Sequence, residues 1–148
     1  MSHPFRLLVF DYDGTLVDSQ GSITQAMETA FREHGLPAPD AGAVRRIVGL
    51  KLEPAVARLL PDGTAWETIT SLVDGYRRAF GAIRRRADYH EPLFPGAREA
   101  IERLDEPEVC LGIATGKSRR GLVDGLERHG LRHHFITLQT ADDGPGKP

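Results

Sequence analysis

Two aspartates separated by one residue, Asp11 and Asp13, are the side chains in this sequence best suited to chemistry. They follow a short apolar run at residues 7–10, and residues two apart on an extended chain point to the same side. Two carboxylates so close repel each other unless a cation joins them, and Mg²⁺ is the natural partner because it prefers oxygen ligands. A carboxylate can also act as a covalent nucleophile and form an aspartyl phosphate. With Asp11 in that role, Asp13 would be placed to protonate the leaving oxygen and later to activate water.

A second segment suited to binding an anion is Thr115-Gly116-Lys117-Ser118, where a strand is predicted to meet the start of a helix. Free backbone N–H groups and the helix dipole attract anions at such a point. The upstream glycine and the spacing of a P-loop are missing, so nucleoside triphosphate binding is not expected. The alternative is a plain strand-to-helix turn with Ser118 as the helix cap, and Lys117 itself is expected to be solvated.

Apolar runs and helical periodicities alternate along the chain. Strands are predicted at residues 7–10, 109–115 and 135–140, with the first of them buried on both faces. Residues 18–87 are predicted to be helical throughout, and Trp66 is expected in the core of that block. Further helices are predicted after Gly96 and over residues 117–129. Strands separated by single helices are typical of a parallel α/β sheet.

The order of these elements predicts the domain organisation. The fold class is α/β, with a Rossmann-like parallel sheet core and an α-helical cap inserted after the first strand. Residues 1–17 and 88–148 are expected to form the core, incomplete at its C-terminus, and residues 18–87 to form the cap. Because ligands bind at the carboxyl ends of the strands in open α/β sheets, the residues after these strands are expected to meet in one site.

Three motifs resemble those of the haloacid dehalogenase superfamily. Its first motif is similar to Asp11-Tyr12-Asp13-Gly14-Thr15-Leu16, its second to Ile113-Ala114-Thr115-Gly116-Lys117, and its third to Asp142-Asp143-Gly144-Pro145-Gly146-Lys147-Pro148. They occur in the family's order and extend over nearly the whole chain. The position of the predicted cap resembles the phosphoglycolate phosphatase-like subgroup, which implies a Mg²⁺-dependent hydrolase that acts on a small phosphorylated metabolite.

The resemblance implies a role for each matching residue. Asp11 would be nucleophile and metal ligand, and Asp13 the acid and base, with its backbone carbonyl on the metal. Thr115 and the Gly116 N–H would bind the transferring phosphoryl group, and Lys147 would neutralise its charge, since such transfer depends on positioning and electrostatics. Gly49 and Lys51 lie in the predicted loop between two cap helices. The resemblance implies that such a loop helps to select the substrate.

The sequence departs from the family's pattern after Lys147. Relatives continue to a fourth, acidic motif that completes the Mg²⁺ site, whereas Asp142 and Asp143 precede the lysine. The chain is therefore expected to be a fragment or a truncated product that binds Mg²⁺ weakly and turns over poorly. The alternatives are a sugar phosphomutase of the same superfamily and an inactive module that persists for binding. A phospho-acceptor receiver domain is disfavoured because a helical block directly follows the first strand.

Composition and charge limit the partners. The chain has 148 residues, 19 basic and 21 acidic, and a net charge of −2, without the basic excess of nucleic-acid binders. Cys110 is the single cysteine, which rules out an internal disulfide. The start of the sequence lacks the run of about 7–15 apolar residues of a signal peptide, and a membrane helix needs about 18. The expected location is cytoplasmic, with no membrane partner, and the oligomeric state stays open.

Overall fold

The computed structural model describes residues 5–144, which contain a three-stranded sheet and six α-helices. Its elements in chain order are β1 (Arg6–Phe10), α1 (Gln20–Glu33), α2 (Ala41–Ile47), α3 (Leu52–Ala57), α4 (Trp66–Arg84), α5 (Ala97–Leu104), β2 (Val109–Ala114), α6 (Arg119–Arg128), a 3-10 turn (Arg132–His134) and β3 (Phe135–Gln139). The predicted α/β fold, with a helical insertion after the first strand, is confirmed.

The sheet is parallel throughout, in the order β1-β2-β3. Phe10 at the end of β1 is level with Ile113 near the end of β2, and Ala114 is level with Gln139 of β3. All three strands therefore end at the same edge of the sheet. The residues that follow them are brought together there, as the sequence predicts.

The two faces of β1 differ in burial. Leu8 and Phe10 pack with the core of the sheet unit, whereas Leu7 and Val9 are 58% and 55% exposed. The prediction that β1 is buried on both faces is wrong, because a continuous apolar run does not show whether a second layer covers the strand. Neighbouring side chains along a strand point to opposite faces, so Leu7 and Val9 share the uncovered one.

One core lies between the sheet and the helices α5 and α6. Its fully buried members come from each of these elements and from the loop after β1, and they include Tyr12, Val17, Ile101, Leu111, Ile113, Leu122, Leu126 and Leu131. Leu122 and Leu126 are one turn apart on α6, so the same face of the helix meets the sheet. This packing fixes the start of α6 beside the edge at which the strands end.

A second core lies within the helical unit and is built mainly where α1 packs on α4. Ala26, Met27 and Ala30 of α1 and Leu72 and Val73 of α4 are buried there. Trp66 is the first residue of α4 and is 59% exposed, so its expected place in the core is wrong. Its spacing fits the apolar stripe of α4, but the stripe is covered only further along the helix.

The chain divides into two compact units, Met1–Asp18 with Pro92–Pro148, and Ser19–Glu91. The boundaries predicted from the sequence lie at residues 17/18 and 87/88. The chain passes between the units at residues 18–19 and 91–92. These two points are adjacent, since the Asp18 N–H donates to the Pro92 carbonyl at 2.8 Å. Over residues 5–144, no helix is both long enough and apolar enough to span a membrane.

Candidate active site

The loop after β1 holds Asp13 through its backbone. The carbonyl of Tyr12 accepts hydrogen bonds from the N–H groups of Thr15, Leu16 and Val17 at 3.0–3.2 Å, and the Gly14 N–H donates to the Val17 carbonyl at 2.9 Å. Gly14 has a φ of 78°, a left-handed conformation that costs glycine little. The turn closes directly after Asp13 and keeps this residue at the end of the sheet, in a buried position.

Asp11 is the first residue after β1 and is half-buried. Its carboxylate oxygen Oδ1 accepts a hydrogen bond from the N–H of Tyr12 at 2.7 Å. The bond uses one oxygen of the carboxylate and sets the orientation of the side chain. Asp11 and Asp13 thus lie in one short segment, on either side of the buried Tyr12.

Thr115 follows β2 and is buried beside the same edge of the sheet. Its N–H donates to the carbonyl of Gln139 at 2.9 Å, which extends the pairing of β2 with β3 by one residue. Its hydroxyl oxygen accepts a hydrogen bond from the N–H of Lys117 at 3.1 Å, and the tight turn leaves Gly116 half-buried between them. The hydroxyl proton is still available to donate to a ligand oxygen.

Lys117 contacts Asp13 directly. Its ammonium Nζ lies 3.1 Å from Oδ1 and 3.4 Å from Oδ2 of Asp13, and the two side chains are only 12% and 10% exposed. The expectation that Lys117 is solvated is therefore wrong. Neither the spacing nor the residue type revealed this contact, because it joins residues that are far apart in the chain. The one available signal was that Lys117 belongs to the predicted anion-binding segment at residues 115–118.

The start of α6 is less open to an anion than the sequence suggests. Ser118 caps the helix, since its hydroxyl oxygen accepts from the Gly121 N–H at 3.3 Å. The N–H of Arg119, the first helical residue, donates to the carboxylate of Asp142 at 2.8 Å. The Asp142 carboxylate therefore occupies part of this helix end. Thr115 and Gly116, which precede the helix, are the better candidates for a phosphate site.

Asp143 links the segment after β3 to α6. Its oxygen Oδ2 accepts from the Arg119 guanidinium at 2.6 Å and from the Thr140 hydroxyl and N–H at 2.7 and 2.8 Å. These bonds favour the ionised form, and they lower the pKa of the Asp143 carboxyl to about 2, with the Arg119 bond contributing most. Sequence reasoning gave Asp142, Asp143 and Arg119 no such role. The predicted catalytic Lys147 lies outside the described residues.

Gly49 and Lys51 belong to the helical unit, where they join α2 to α3. Gly49 has a φ of 94°, and the carbonyl of Lys51 accepts the Ala55 N–H at 3.0 Å as the first turn of α3 forms. The loop has the left-handed residue that a sharp change of direction needs. Its predicted part in substrate selection stays a prediction.

The oxygen atoms of the loop after β1 fit a Mg²⁺ ion. Mg²⁺ is usually held by one or two carboxylates, together with substrate phosphate and water. The Asp13 carboxylate is paired with Lys117, so the Asp11 carboxylate and the Asp13 backbone carbonyl are the donors that suit the ion best. Among residues 5–144, no three histidine, cysteine, aspartate or glutamate side chains are grouped to hold a metal by themselves.

Comparisons with known proteins identify the family of this chain. The family described as haloacid dehalogenase-like hydrolase matches residues 8–148. A protein named probable phosphatase IndB from Dickeya dadantii is 34% identical over 92% of this chain and 59% of its own length. A phosphoglycolate phosphatase from Chromobacterium violaceum is 33% identical over 96% of this chain and 64% of its own. The chain thus spans less than two thirds of these curated relatives.

A solved structure has the same fold. It is a haloacid dehalogenase-like family hydrolase, SP0104, from Streptococcus pneumoniae, with a TM-score of 0.75 and 31% identity. The match covers 93% of this chain and 61% of that protein. The described fold is therefore one that occurs within a longer chain in this relative.

Proposed function

The chain belongs to the family of haloacid dehalogenase-like hydrolases, and we propose that it carries the site of a Mg²⁺-dependent phosphomonoester hydrolase. The observation that carries the proposal is the meeting of two segments at one edge of the sheet. Asp11 and Asp13 follow β1, Thr115 follows β2, and the Lys117 ammonium joins the two segments at 3.1 Å from Asp13. Carboxylates, a hydroxyl donor and a cation are the groups that phosphoryl transfer requires.

In the proposed reaction, a carboxylate oxygen of Asp11 attacks the phosphorus atom and forms an aspartyl phosphate. The bond from phosphorus to the ester oxygen breaks, and the departing alcohol takes a proton from Asp13. Asp13 then takes a proton from water, whose oxygen attacks the phosphorus and releases inorganic phosphate from Asp11. Two buried or half-buried carboxylates on one short loop can divide these two roles.

Thr115, Gly116 and Lys147 are proposed to stabilise the charge on the transferring group. The Thr115 hydroxyl and the Gly116 N–H would each donate a hydrogen bond to a phosphoryl oxygen. Lys147 would add a positive charge, and Asp142 and Asp143 tie the segment that precedes it to the start of α6. Such donors contribute most when they are fixed before the substrate arrives.

Mg²⁺ is the proposed cofactor, with the Asp11 carboxylate and the Asp13 carbonyl as its protein ligands in the described residues. When bound, the ion would offset the negative charge that Asp11 and the substrate phosphate bring together. Asp11, the proposed nucleophile, and Asp13, the proposed acid, lie on the same short loop.

The proposed substrate is a small phosphorylated metabolite that resembles phosphoglycolate. The support is the name of relatives such as the phosphoglycolate phosphatase from C. violaceum, which is 33% identical to this chain. Gly49 and Lys51 are proposed to contribute to the choice of substrate. A cytoplasmic location is part of the same proposal.

The test is release of phosphate from an aryl phosphate and from a panel of metabolite phosphates, with and without Mg²⁺. Wild type is expected to release phosphate slowly, in keeping with the weak Mg²⁺ binding expected of this chain, and faster with Mg²⁺ than without it. Asp11→Asn should fall to background, because its amide cannot replace the carboxylate nucleophile. Asp62→Asn in the helical unit, a matched change at an exposed aspartate, is the control. If wild type and Asp11→Asn release phosphate equally, the proposal fails for this chain.

A further inference from the structure

The ion pair of Lys117 with Asp13 is one of the most buried in the described structure, since the two side chains are 12% and 10% exposed. Taking a charged pair out of water is costly, and such a pair adds little net stability compared with an apolar one. Its value lies in fixing the position of its members. The ammonium lies near both carboxylate oxygens of Asp13, at 3.1 and 3.4 Å, so it restrains rotation of the carboxylate.

The backbone of Lys117 is fixed on both sides. Its N–H donates to the Thr115 hydroxyl oxygen at 3.1 Å, and its carbonyl accepts from the Ala141 N–H at 3.0 Å. Its side-chain stem lies against α6, because a Cβ placed on Gly121 would be 3.3 Å from Lys117 Cε. Any larger residue at position 121 would press on the stem that carries the ammonium.

The aromatic ring of Tyr12 lies next to the ammonium group of Lys117. The Lys117 Nζ atom lies 5.8 Å from the centre of the Tyr12 ring, within the range of a cation–π contact. The ring packs on Gly125, where an added Cβ would be 3.0 Å from Tyr12 Cζ and would overlap the hydroxyl. Gly121 and Gly125 are one turn apart on the same face of α6, and this glycine face makes room for both the lysine stem and the tyrosine ring.

We propose that Lys117 is a positioning residue that holds the Asp13 carboxylate for its proton transfers, and that Tyr12 on the glycine face of α6 holds Lys117. The inference rests on the proposed function, because only a reaction that uses Asp13 as acid gives this restraint a catalytic meaning. It predicts that loss of Lys117 affects the proton transfer more than the binding of the substrate.

The kinetic test compares an alkyl phosphate, whose leaving group needs the proton, with p-nitrophenyl phosphate, whose leaving group does not. Lys117→Met is expected to lower kcat/KM for the alkyl ester about 100-fold, which is the low end of the contribution of a general acid. It should lower kcat/KM for the aryl ester much less. Lys117→Arg keeps the charge and should recover part of the loss. Arg120→Met, at an exposed residue in the first turn of α6, is the control.

A second readout does not depend on turnover. A buried, ion-paired lysine ammonium exchanges slowly with water, so its ¹⁵N–¹H signal is expected in the wild-type spectrum and is assigned by its absence in Lys117→Arg. Asp13→Asn should remove the signal. Gly125→Ala should also weaken it by displacing Tyr12, and adding Tyr12→Phe, which lacks the overlapping hydroxyl, should restore it.

The outcomes separate this inference from the proposed function. If wild type hydrolyses both esters and Lys117→Met lowers both equally, Lys117 acts on the phosphate or on the fold, and the inference is overturned while the function stands. If the ammonium signal is unaffected by Asp13→Asn, the contact itself is refuted. If wild type hydrolyses neither ester, the proposed function fails and the inference fails with it. A selective loss on the alkyl ester together with a signal that depends on Asp13 supports both.

Discussion

The guanidinium of Arg119 lies 2.6 Å from the carboxylate of Asp143, which joins the first residue of α6 to the segment after β3. The same carboxylate oxygen accepts hydrogen bonds from the hydroxyl and N–H of Thr140. Three donors from two elements therefore converge on one anion. The contact restrains the segment that follows β3.

The first prediction concerns acid stability. The pKa of Asp143 is lowered to about 2 in the folded protein, against about 3.9 in an unfolded chain. A lowered folded pKa stabilises the protein above the unfolded value, and this contribution is lost as the pH falls toward 2. Asp143→Asn should therefore be less stable than wild type at pH 6, and the difference should shrink between about pH 4 and pH 2.

The measurement is urea denaturation of both proteins across that pH range, with Asp62→Asn as the matched control. The contact is partly exposed, so solvent screens it and the difference is expected to be small but resolvable. A constant difference between wild type and Asp143→Asn from pH 6 to pH 2 would contradict the argument.

The second prediction concerns where phosphate binds. The Arg119 N–H is already paired with Asp142, whereas the Gly116 N–H lies upstream of the helix in the predicted phosphate site. On titration with inorganic phosphate in the presence of Mg²⁺, the amide signal of Gly116 should shift more than that of Arg119. In Asp142→Ala the Arg119 amide should become sensitive to phosphate. An equal shift of both amides in wild type would place the anion at the helix end instead.

The third prediction concerns Thr115, whose hydroxyl has two tasks. It accepts the Lys117 N–H at 3.1 Å, and its proton is proposed to bind phosphate. Thr115→Val leaves that N–H without its acceptor in a buried place, which should cost about 1–3 kcal/mol of unfolding free energy. Thr115→Ser keeps the hydroxyl and should retain stability and phosphate affinity better. Urea denaturation and phosphate titration measure the two effects separately, and equal behaviour of the two variants would refute the role of the hydroxyl.

The sequence predicted the parts of the fold that depend on local pattern. Strands were expected at residues 109–115 and 135–140, and β2 and β3 are Val109–Ala114 and Phe135–Gln139. The positions of Asp11, Asp13 and Thr115 at strand ends followed from these limits and from the parallel order. Alternating strands and helices constrain the topology strongly, because crossovers between parallel strands in a sheet have few arrangements.

What the sequence did not predict are contacts between residues distant in the chain. The pairing of Lys117 with Asp13, and the packing of Tyr12 on Gly125, depend on how closely α6 approaches the first loop. Composition and spacing carry no information on that approach. The exposure of Val9 was missed for a related reason, since its apolar character does not show whether a layer covers that face.

The fourth prediction concerns the two cores. Ile101 lies in the core of the sheet unit and Leu72 in that of the helical unit, and both are fully buried. Replacing either one by alanine removes buried methyl and methylene groups and leaves a cavity, at a cost of about 2–5 kcal/mol. Calorimetry should show a lower unfolding temperature for both variants, whereas Ala100→Gly at an exposed position of α5 should cost about 1 kcal/mol. A variant of Ile101 that unfolds like wild type would contradict the assignment of this core.

The fifth prediction concerns the uncovered face of β1, where Phe5, Leu7 and Val9 are all more than half exposed. Contiguous exposed apolar side chains bind apolar dyes and promote association. The double variant Leu7→Thr and Val9→Thr introduces threonine, which is compatible with a strand but adds a hydroxyl at each position. It should therefore bind less 1-anilinonaphthalene-8-sulfonate than wild type. Its stability should change by no more than about 0.5 kcal/mol per site, as is usual for surface positions. The matched control is Leu8→Thr, on the packed face of the same strand, which should lower stability. If Leu8→Thr lowers dye binding as much as the double variant does, the dye does not bind at the uncovered face.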